Sequence, residues 1–465
     1  MPATVTHLWF IMDEGLPTNE LQDYLRAHPE TRFIDALYID LNGFVRGKRY
    51  PADKAGKLYS SGMQMPEAHY ILYAIGDSVD PCGRGFSDGD PDCVTFPVPG
   101  SLAPVPWANE PRAQLLMTQA RSERPPHFVD PRQILRQVAD RFAATGLKPV
   151  MAFELEFYLL DPAPDAQGRP QSPIQPGSQQ RLVSMQTNSM EELDAFGSFL
   201  AEVDKACRAQ NIPSSVACTE FATAQYEINL DHVDDPVLAA DHAILQRRVI
   251  KAIAQRHGMR ASFMSKPFLD RNGSGTHIHI SLLDKSGRNV FDDGSPLGSA
   301  TLRHAIGGLQ ATMAEAMAIC SPNLNAFRRY GPNRFVPVNK SWGAQNRSVA
   351  FRIPGGSPKA RRIEHRAAGA DANPYLVAAA LLASIQHGIE NQLDPGQPAE
   401  QRNVSGEVDP DLPFDWMAAV DRLEQSTILR QAIHPLYLQI YAAVKRGEHE
   451  QIMSEIIPRE YAWYL

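Results

Sequence analysis

One short run limits the fold more than any other part of the chain. Residues 153–160 read FELEFYLL, with two acids, Glu154 and Glu156, inside an otherwise apolar stretch. Taken as a strand, the run alternates. Phe153, Leu155, Phe157 and Leu159 share one face and both acids share the other. The carboxyl groups are then roughly 7 Å apart along the strand. Like charges on one face repel, and burial makes their ionised forms costly. The fold must therefore bring something onto that face that makes two acids acceptable.

Three other stretches have the same character. Glu220 and Glu227 bracket ATAQY in TEFATAQYEINL. His277 and His279 share one face of NGSGTHIHISL, with Ile278 and Ile280 on the other. Glu364 and Arg366 share a face in RRIEHR. Each stretch alone has a plainer explanation: a strand with a solvated face, cross-strand packing, a hairpin turn at Asn272-Gly273, or surface charge at Arg352, Arg362 and Arg366. Together they supply five carboxylates and a histidine for one cavity: Glu154, Glu156, Glu220, Glu227, Glu364 and His277. Such a set suits a hard divalent cation, Mg²⁺ or Mn²⁺, which replaces repulsion with attraction and keeps the acids ionised.

Bulk properties narrow the partners. A formal net charge of −8 argues against a nucleic-acid binder, which normally carries a basic footprint. No run of ~18 apolar residues suggests a membrane span. The opening MPATVTHLWFIMDEG lacks a basic start and a long apolar core, so no signal peptide is expected. Five cysteines at scattered spacing give neither a disulfide framework nor a zinc pattern. These features predict a cytoplasmic protein with reduced thiols.

The chain divides by texture. Residues 1–120 are predicted as a small β-rich N-terminal domain, with a hairpin over 32–50 turning at Asn42-Gly43. Residues 121–465 are predicted as a larger α+β domain. Its first helix opens on Asp130-Pro131 and closes at Gly146, burying Ile134, Val138 and Phe142. A second starts at the cap Ser189, with Leu193, Phe196, Leu200, Val203 and Cys207 on one face. Others are expected from Asp235-Pro236 to Gly258 and near 301–319 and 374–392. Strands are expected at 226–230, 276–283, 348–353 and 362–366.

In this order the landmarks resemble the glutamine synthetase superfamily over nearly the whole chain. They are DLNG with the following GK at 40–48, FELEF, the Glu220/Glu227 pair, NGSGTHIHISL, NRFVP, NRSVAFRIP, SPKARRIEHR, ANPYL and the terminal EYAWYL. The resemblance implies a β-grasp-like N-terminal domain and a catalytic domain built on a curved antiparallel sheet with helices. It implies a homo-oligomer, a dodecamer of two hexameric rings with active sites between neighbours. It assigns one metal to Glu156, Glu220 and Glu227, and a second to Glu154, His277 and Glu364. It assigns glutamate to Asn272, Gly273, Arg334 and Arg366, and ATP to His279, Ser281, Arg347, Arg352 and Arg362. Arg347, Arg352 and Glu220 are the residues it marks for catalysis. ATP phosphorylates the γ-carboxylate of glutamate, and an amine then displaces phosphate. Metal ions and arginines neutralise the charge developing on the transferred group.

Two departures bear on the amine. The family's ammonium motif is replaced by SGMQMPEAHYI at 61–71, and the flap NRFVPVNKSWGAQNR is short and has no glutamate. Lys340 and Trp342 stand there instead, with Trp342 placed either to line an acceptor pocket or to pack the flap. The pattern resembles the γ-glutamylpolyamine branch and predicts putrescine or another polyamine as acceptor. The alternatives are a glutamine synthetase using ammonium, a ligase for a monoamine, ethanolamine or arylamine, and a non-catalytic relative. No tyrosine occurs between Tyr375 and Tyr437, so control by tyrosine adenylylation in that loop is not expected.

Overall fold

The computed structural model describes residues 19–77, 80–119, 129–183, 185–400 and 402–465. The opening segment read for targeting signals and the domain boundary expected near residue 120 lie outside them, wholly or in part. Two sheets organise the chain. The first is built from β1 (Phe33–Ile39), β2 (Val45–Pro51), β3 (Met63–Pro66), β4 (Asp92–Pro97), β5 (Ala103–Pro104) and β6 (Arg112–Gln119). Its order is β2-β1-β6-β4-β3, with β5 also on β6. β1 and β2 form the expected hairpin, and β1 runs parallel to β6.

The second sheet carries the acids. It contains β7 (Lys148–Leu160), β8 (Ser214–Thr219), β9 (Gln225–Leu230), β10 (Arg260–Ser262), β11 (Thr276–Leu283), β12 (Trp342–Ala344), β13 (Phe351–Ile353) and β14 (Ile363–His365). The order is β12-β13-β14-β11-β7-β9-β8, with β10 also on β7. All neighbours are antiparallel except β12 and β13. FELEFYLL thus lies in the central strand. Its apolar face is fully buried, with Phe157 against Tyr226 and Phe263.

The helices follow their caps. Asp130 accepts from Arg132 N at 2.9 Å to open Pro131–Thr145, and Gly146 closes it at φ +79°. The other Asp130 oxygen accepts from Thr118 Oγ1 and Gln119 N, fixing this helix to the end of β6. The helix expected from Ser189 breaks at Phe196 into Met190–Ala195 and Gly197–Ala209. Gly197 has poor helix propensity, and the Phe196 ring is drawn onto Tyr226. The strand expected over 348–353 starts only at Phe351. Before it, Asn346 Oδ1 accepts from Ser348 N and Ser348 Oγ, forming a turn.

Candidate active site

Strand register assembles the site. Glu154 on β7 lies opposite His277 of β11 and Asn229 of β9, and Glu156 lies opposite Glu227. Farther out, His279 faces Glu364 of β14, and Arg352 of β13 faces Glu364 from its other side. On the opposite flank Cys218 of β8 pairs with Glu227. Directly paired residues share a sheet face, so these side chains form one continuous wall. Glu220 follows β8 two positions after Cys218 and joins it.

The wall is a network of ions. His277 Nδ1 is 3.1 Å from Glu154 Oε2, and its Nε2 is 3.7 Å from Glu156 Oε1. His279 Nε2 is 2.8 Å from Glu154 Oε1, while its Nδ1 accepts from Arg362 Nε at 2.9 Å. Glu364 accepts from Arg352 Nη1 at 2.6 Å and is also paired with Arg366. Glu156 Oε2 takes Gly275 N at 2.8 Å and Gln225 Nε2 at 3.3 Å.

Charge is unevenly balanced along it. Burial raises the carboxyl of Glu364, but His277, Arg366, His279 and Arg352 outweigh burial and hold it at about 2. Burial also opposes ionisation of Glu154, yet hydrogen bonds from His277 and His279 keep it well below the usual range. His277 is pushed down by burial and Arg366, but Glu154 and Glu156 carry it above its ordinary value. At the other end, burial and the charge of Glu156 push Glu220 up to about 7. Burial, Glu154 and Glu156 push Glu227 up to about 8. Burial, Glu227 and Glu220 raise the Cys218 thiol to about 12. One half of the wall has its own cations and the other has an excess of acid.

That imbalance fits bound cations. Among the described residues, three groups hold ligand atoms within 4.8 Å of one another: Glu154–His277–Glu364, Glu156–Glu227–His277 and Cys218–Glu220–Glu227. The first is the set expected for one metal. The other set is split, because Glu220 clusters with Cys218 and Glu227, while Glu156 closes on His277. Carboxylate oxygens dominate, as Mg²⁺ or Mn²⁺ requires.

The remaining expected residues are spread more widely. Asn272 and Gly273 sit beside the wall: Asn272 O accepts from Tyr158 OH at 2.6 Å, and Gly273 O from Gln225 Nε2 at 3.1 Å. A Cβ on Gly273 would stand 2.7 Å from Arg329 Cγ and 2.8 Å from Ser265 O, so the backbone approach demands glycine. Ser281 is on β11, four residues after His277 and on its face. Arg347 and Arg334 are exposed and line an open cleft of about 860 Å³ with Phe335, Ser348 and Arg402. Arg334 turns back onto the carbonyl of Arg328 at 2.7 Å. Arg352 and Arg366, expected on phosphate and glutamate, are here held by Glu364.

The flap decides between the two placements left open for Trp342. Trp342 is buried at 2% exposure, and its Nε1 donates to Pro395 O at 3.1 Å. It therefore packs the flap and lines no acceptor pocket. Lys340 is engaged by Asp409 and Asp411. In 61–71 the sole acid, Glu67, is tied to Arg84 and to Gln119 Nε2. Neither departure from the family pattern has a carboxylate free to take the place of the missing one.

Other residues escaped the sequence. Cys218 shares the parity of Glu220, a signal that was available. Arg329 is 2% exposed beside Gly273, with Nε and Nη1 unpartnered, and nothing in its RRYG context marks it out.

The family model "Glutamine synthetase, catalytic domain" matches residues 128–464. The chain is 38% identical over 448 residues to the γ-glutamylputrescine synthetase PuuA of Escherichia coli (strain K12), covering 96% of this chain and 94% of that protein. It is 32% identical over 459 residues to a glutamate–isopropylamine ligase of Pseudomonas sp, covering 96% and 97%. The ligand-free structure of GmaS aligns at a TM-score of 0.80 and 27% identity, covering 96% of this chain and 99% of that one. Both the landmarks and these similarities lead to one assignment: the chain belongs to the glutamine synthetase family.

Proposed function

We propose that the protein is an ATP-dependent ligase that joins the γ-carboxylate of glutamate to a primary amine, with putrescine or another polyamine as acceptor. The observation that carries the reading is the ligand wall of Glu154, Glu156, Glu220, Glu227, His277 and Glu364, flanked by Arg352, Arg362 and Arg366. The polyamine acceptor rests on the similarity to the putrescine enzyme and on the absence of free carboxylates in 61–71 and the flap. A monoamine acceptor is the second reading, favoured by the similarity to the isopropylamine ligase.

Two or more Mg²⁺ or Mn²⁺ ions, when bound, neutralise the phosphate oxygens and the carboxylate that must meet them. We assign one ion to Glu154, His277 and Glu364, and another to Glu156, Glu227 and Glu220. Arg352 holds ready positive charge at the phosphoryl end of the wall, and Arg347 supplies it from the cleft. Glutamate is assigned to Asn272, Gly273 and Arg366, with the buried Arg329 beside them; Arg334 is kept at the cleft rim. His279, Ser281 and Arg362 line the nucleotide side. Glu220, whose carboxyl lies within reach of the charge on Arg347, is assigned to receive the proton of the attacking amine. ATP, glutamate and amine give ADP, phosphate and the γ-glutamyl amide.

We infer a homo-oligomer, a dodecamer of two rings. It is supported by the C-terminal segment, where Met453, Ile456, Ile457, Tyr461, Trp463 and Tyr464 are exposed in a single chain. A cytoplasmic location is supported by the five free cysteines. No described helix is long and apolar enough to cross a membrane. The test of the reaction is mass spectrometry of the products. A heavy-oxygen label in the γ-carboxylate should pass to phosphate as the γ-glutamyl amide forms. Label retained wholly in the amide would exclude the acyl-phosphate route.

A further inference from the structure

Two exposed aromatic rings stand together at the mouth of this site. The Phe221 and Phe335 rings have centroids 4.9 Å apart at 36°, yet Phe221 is 47% and Phe335 57% exposed. They come from segments far apart in the chain. Phe221 follows Glu220 directly, and its carbonyl accepts from Asn272 Nδ2 at 3.0 Å, which ties it to the loop of Gly273. Phe335 follows Arg334 in the flap and lines the cleft that holds Arg347. The pair therefore bridges the acid wall and the flap and leaves its outer ring surfaces in water. Large side chains in solvent beside a reaction centre mark a surface that a ligand covers.

We propose that the Phe221–Phe335 pair is the wall on which the hydrocarbon part of the acceptor amine lies, so that it sets acceptor preference by apolar length. The inference rests on the ligase reading above and adds the residues that select the amine. The occupant favoured is a small alkylamine, because the surface offered is two rings wide and adjoins Glu220. The oligomer inferred above also brings a neighbouring copy near the site, so the test reads oligomer size as well. Ammonium, having no carbon, gains nothing from the rings. An alkyl chain gains with each methylene removed from water, and a distal ammonium group gains further over a ring face. The rings thus supply a preference that no residue of 61–71 supplies.

The experiment measures kcat/KM on the holoenzyme with ATP, glutamate and Mg²⁺ for ammonium, methylamine, ethylamine, propylamine and butylamine. Wild type, F221A, F335A and F335L are compared. For wild type, kcat/KM should rise about fourfold per added methylene while the chain fits. F221A and F335A should flatten that rise and leave ammonium turnover and the KM values for ATP and glutamate unchanged. F335L should keep most of the rise, since leucine retains apolar area. An unchanged slope in both alanine variants overturns the inference. So does an equal loss for every amine including ammonium, which marks a merely structural pair. A change of oligomer size in the alanine variants by light scattering, with the slope intact, also overturns it and assigns the rings to a contact between copies. Putrescine is the control: wild type that forms amide with putrescine but with none of these alkylamines overturns the inference alone, and wild type that forms amide with neither contradicts the ligase reading itself.

Discussion

His277 bridges Glu154 and Glu156: its Nδ1 is 3.1 Å from Glu154 Oε2 and its Nε2 is 3.7 Å from Glu156 Oε1. One imidazole thus touches both acids of FELEFYLL. This relationship explains how the strand tolerates them and joins two of the three ligand groups.

Replacing Glu156 by Gln keeps its shape but removes the charge that His277 and a cation would share. Bound Mn²⁺, counted by isothermal titration, should fall by one ion or weaken at that position by roughly 10–100-fold. Amide synthesis should fall by about 10²–10³-fold. Circular dichroism should stay at the wild-type signal.

The acid-rich end predicts an unusual pH dependence for the ion-free protein. Glu220 at about 7 and Glu227 at about 8 lie above the carboxyl range of an unfolded chain. Raised carboxyls bind protons more tightly folded than unfolded. Their contribution is therefore complete below the unfolded value and is lost as pH rises through about 7 to 8. The raised His277 acts in the same direction. Glu364, at about 2, is ionised throughout that window and adds no slope there. The Tm of the ion-free protein should therefore fall from pH 5 to pH 8. Saturating Mg²⁺ should lessen the fall, and the double variant E220Q/E227Q should flatten it.

Trp342 supplies a stability test that separates packing from acceptor binding. W342A should destabilise the protein by about 3–5 kcal/mol in denaturant unfolding. The order of preference among amines, measured in any variant that still folds, should be that of wild type, and W342F should keep both.

Gly273 and Arg329 should report on glutamate. G273A drives a Cβ into Arg329 Cγ and Ser265 O and should raise the KM for glutamate while leaving that for ATP unchanged. Arg329→Gln should do the same, because the Arg329 stem packs on Gly273 and its Nε and Nη1 are buried without partners. Arg334→Gln, at the exposed rim, should leave the KM for glutamate near wild type.

Much of the wall was legible because strands have a fixed period of two residues. Spacing alone puts Glu154/Glu156, His277/His279 and Glu364/Arg366 each on a common face; the observed register keeps the first two, and Arg366, just past β14, meets Glu364 as an ion pair. Asp130-Pro131 and Gly146 were read from local capping chemistry, which needs no tertiary context. What was not legible depends on distant contacts. The break at Phe196 follows from Tyr226, thirty positions on. The burial of Trp342 follows from the carbonyls of Pro395 and Gly396. Cys218 enters the acid cluster only because β8 pairs with β9 in one particular register. Arg329 and the Phe221–Phe335 pair join segments that nothing in the sequence places together.

The central claim is that the acceptor is an amine larger than ammonium. The most direct measurement is phosphate release at saturating ATP, glutamate and Mg²⁺, with kcat/KM compared for ammonium, putrescine and longer polyamines. Putrescine or a longer polyamine should exceed ammonium. A kcat/KM for ammonium equal to or above that of every amine tested would contradict it and make the protein a glutamine synthetase in activity as well as in family.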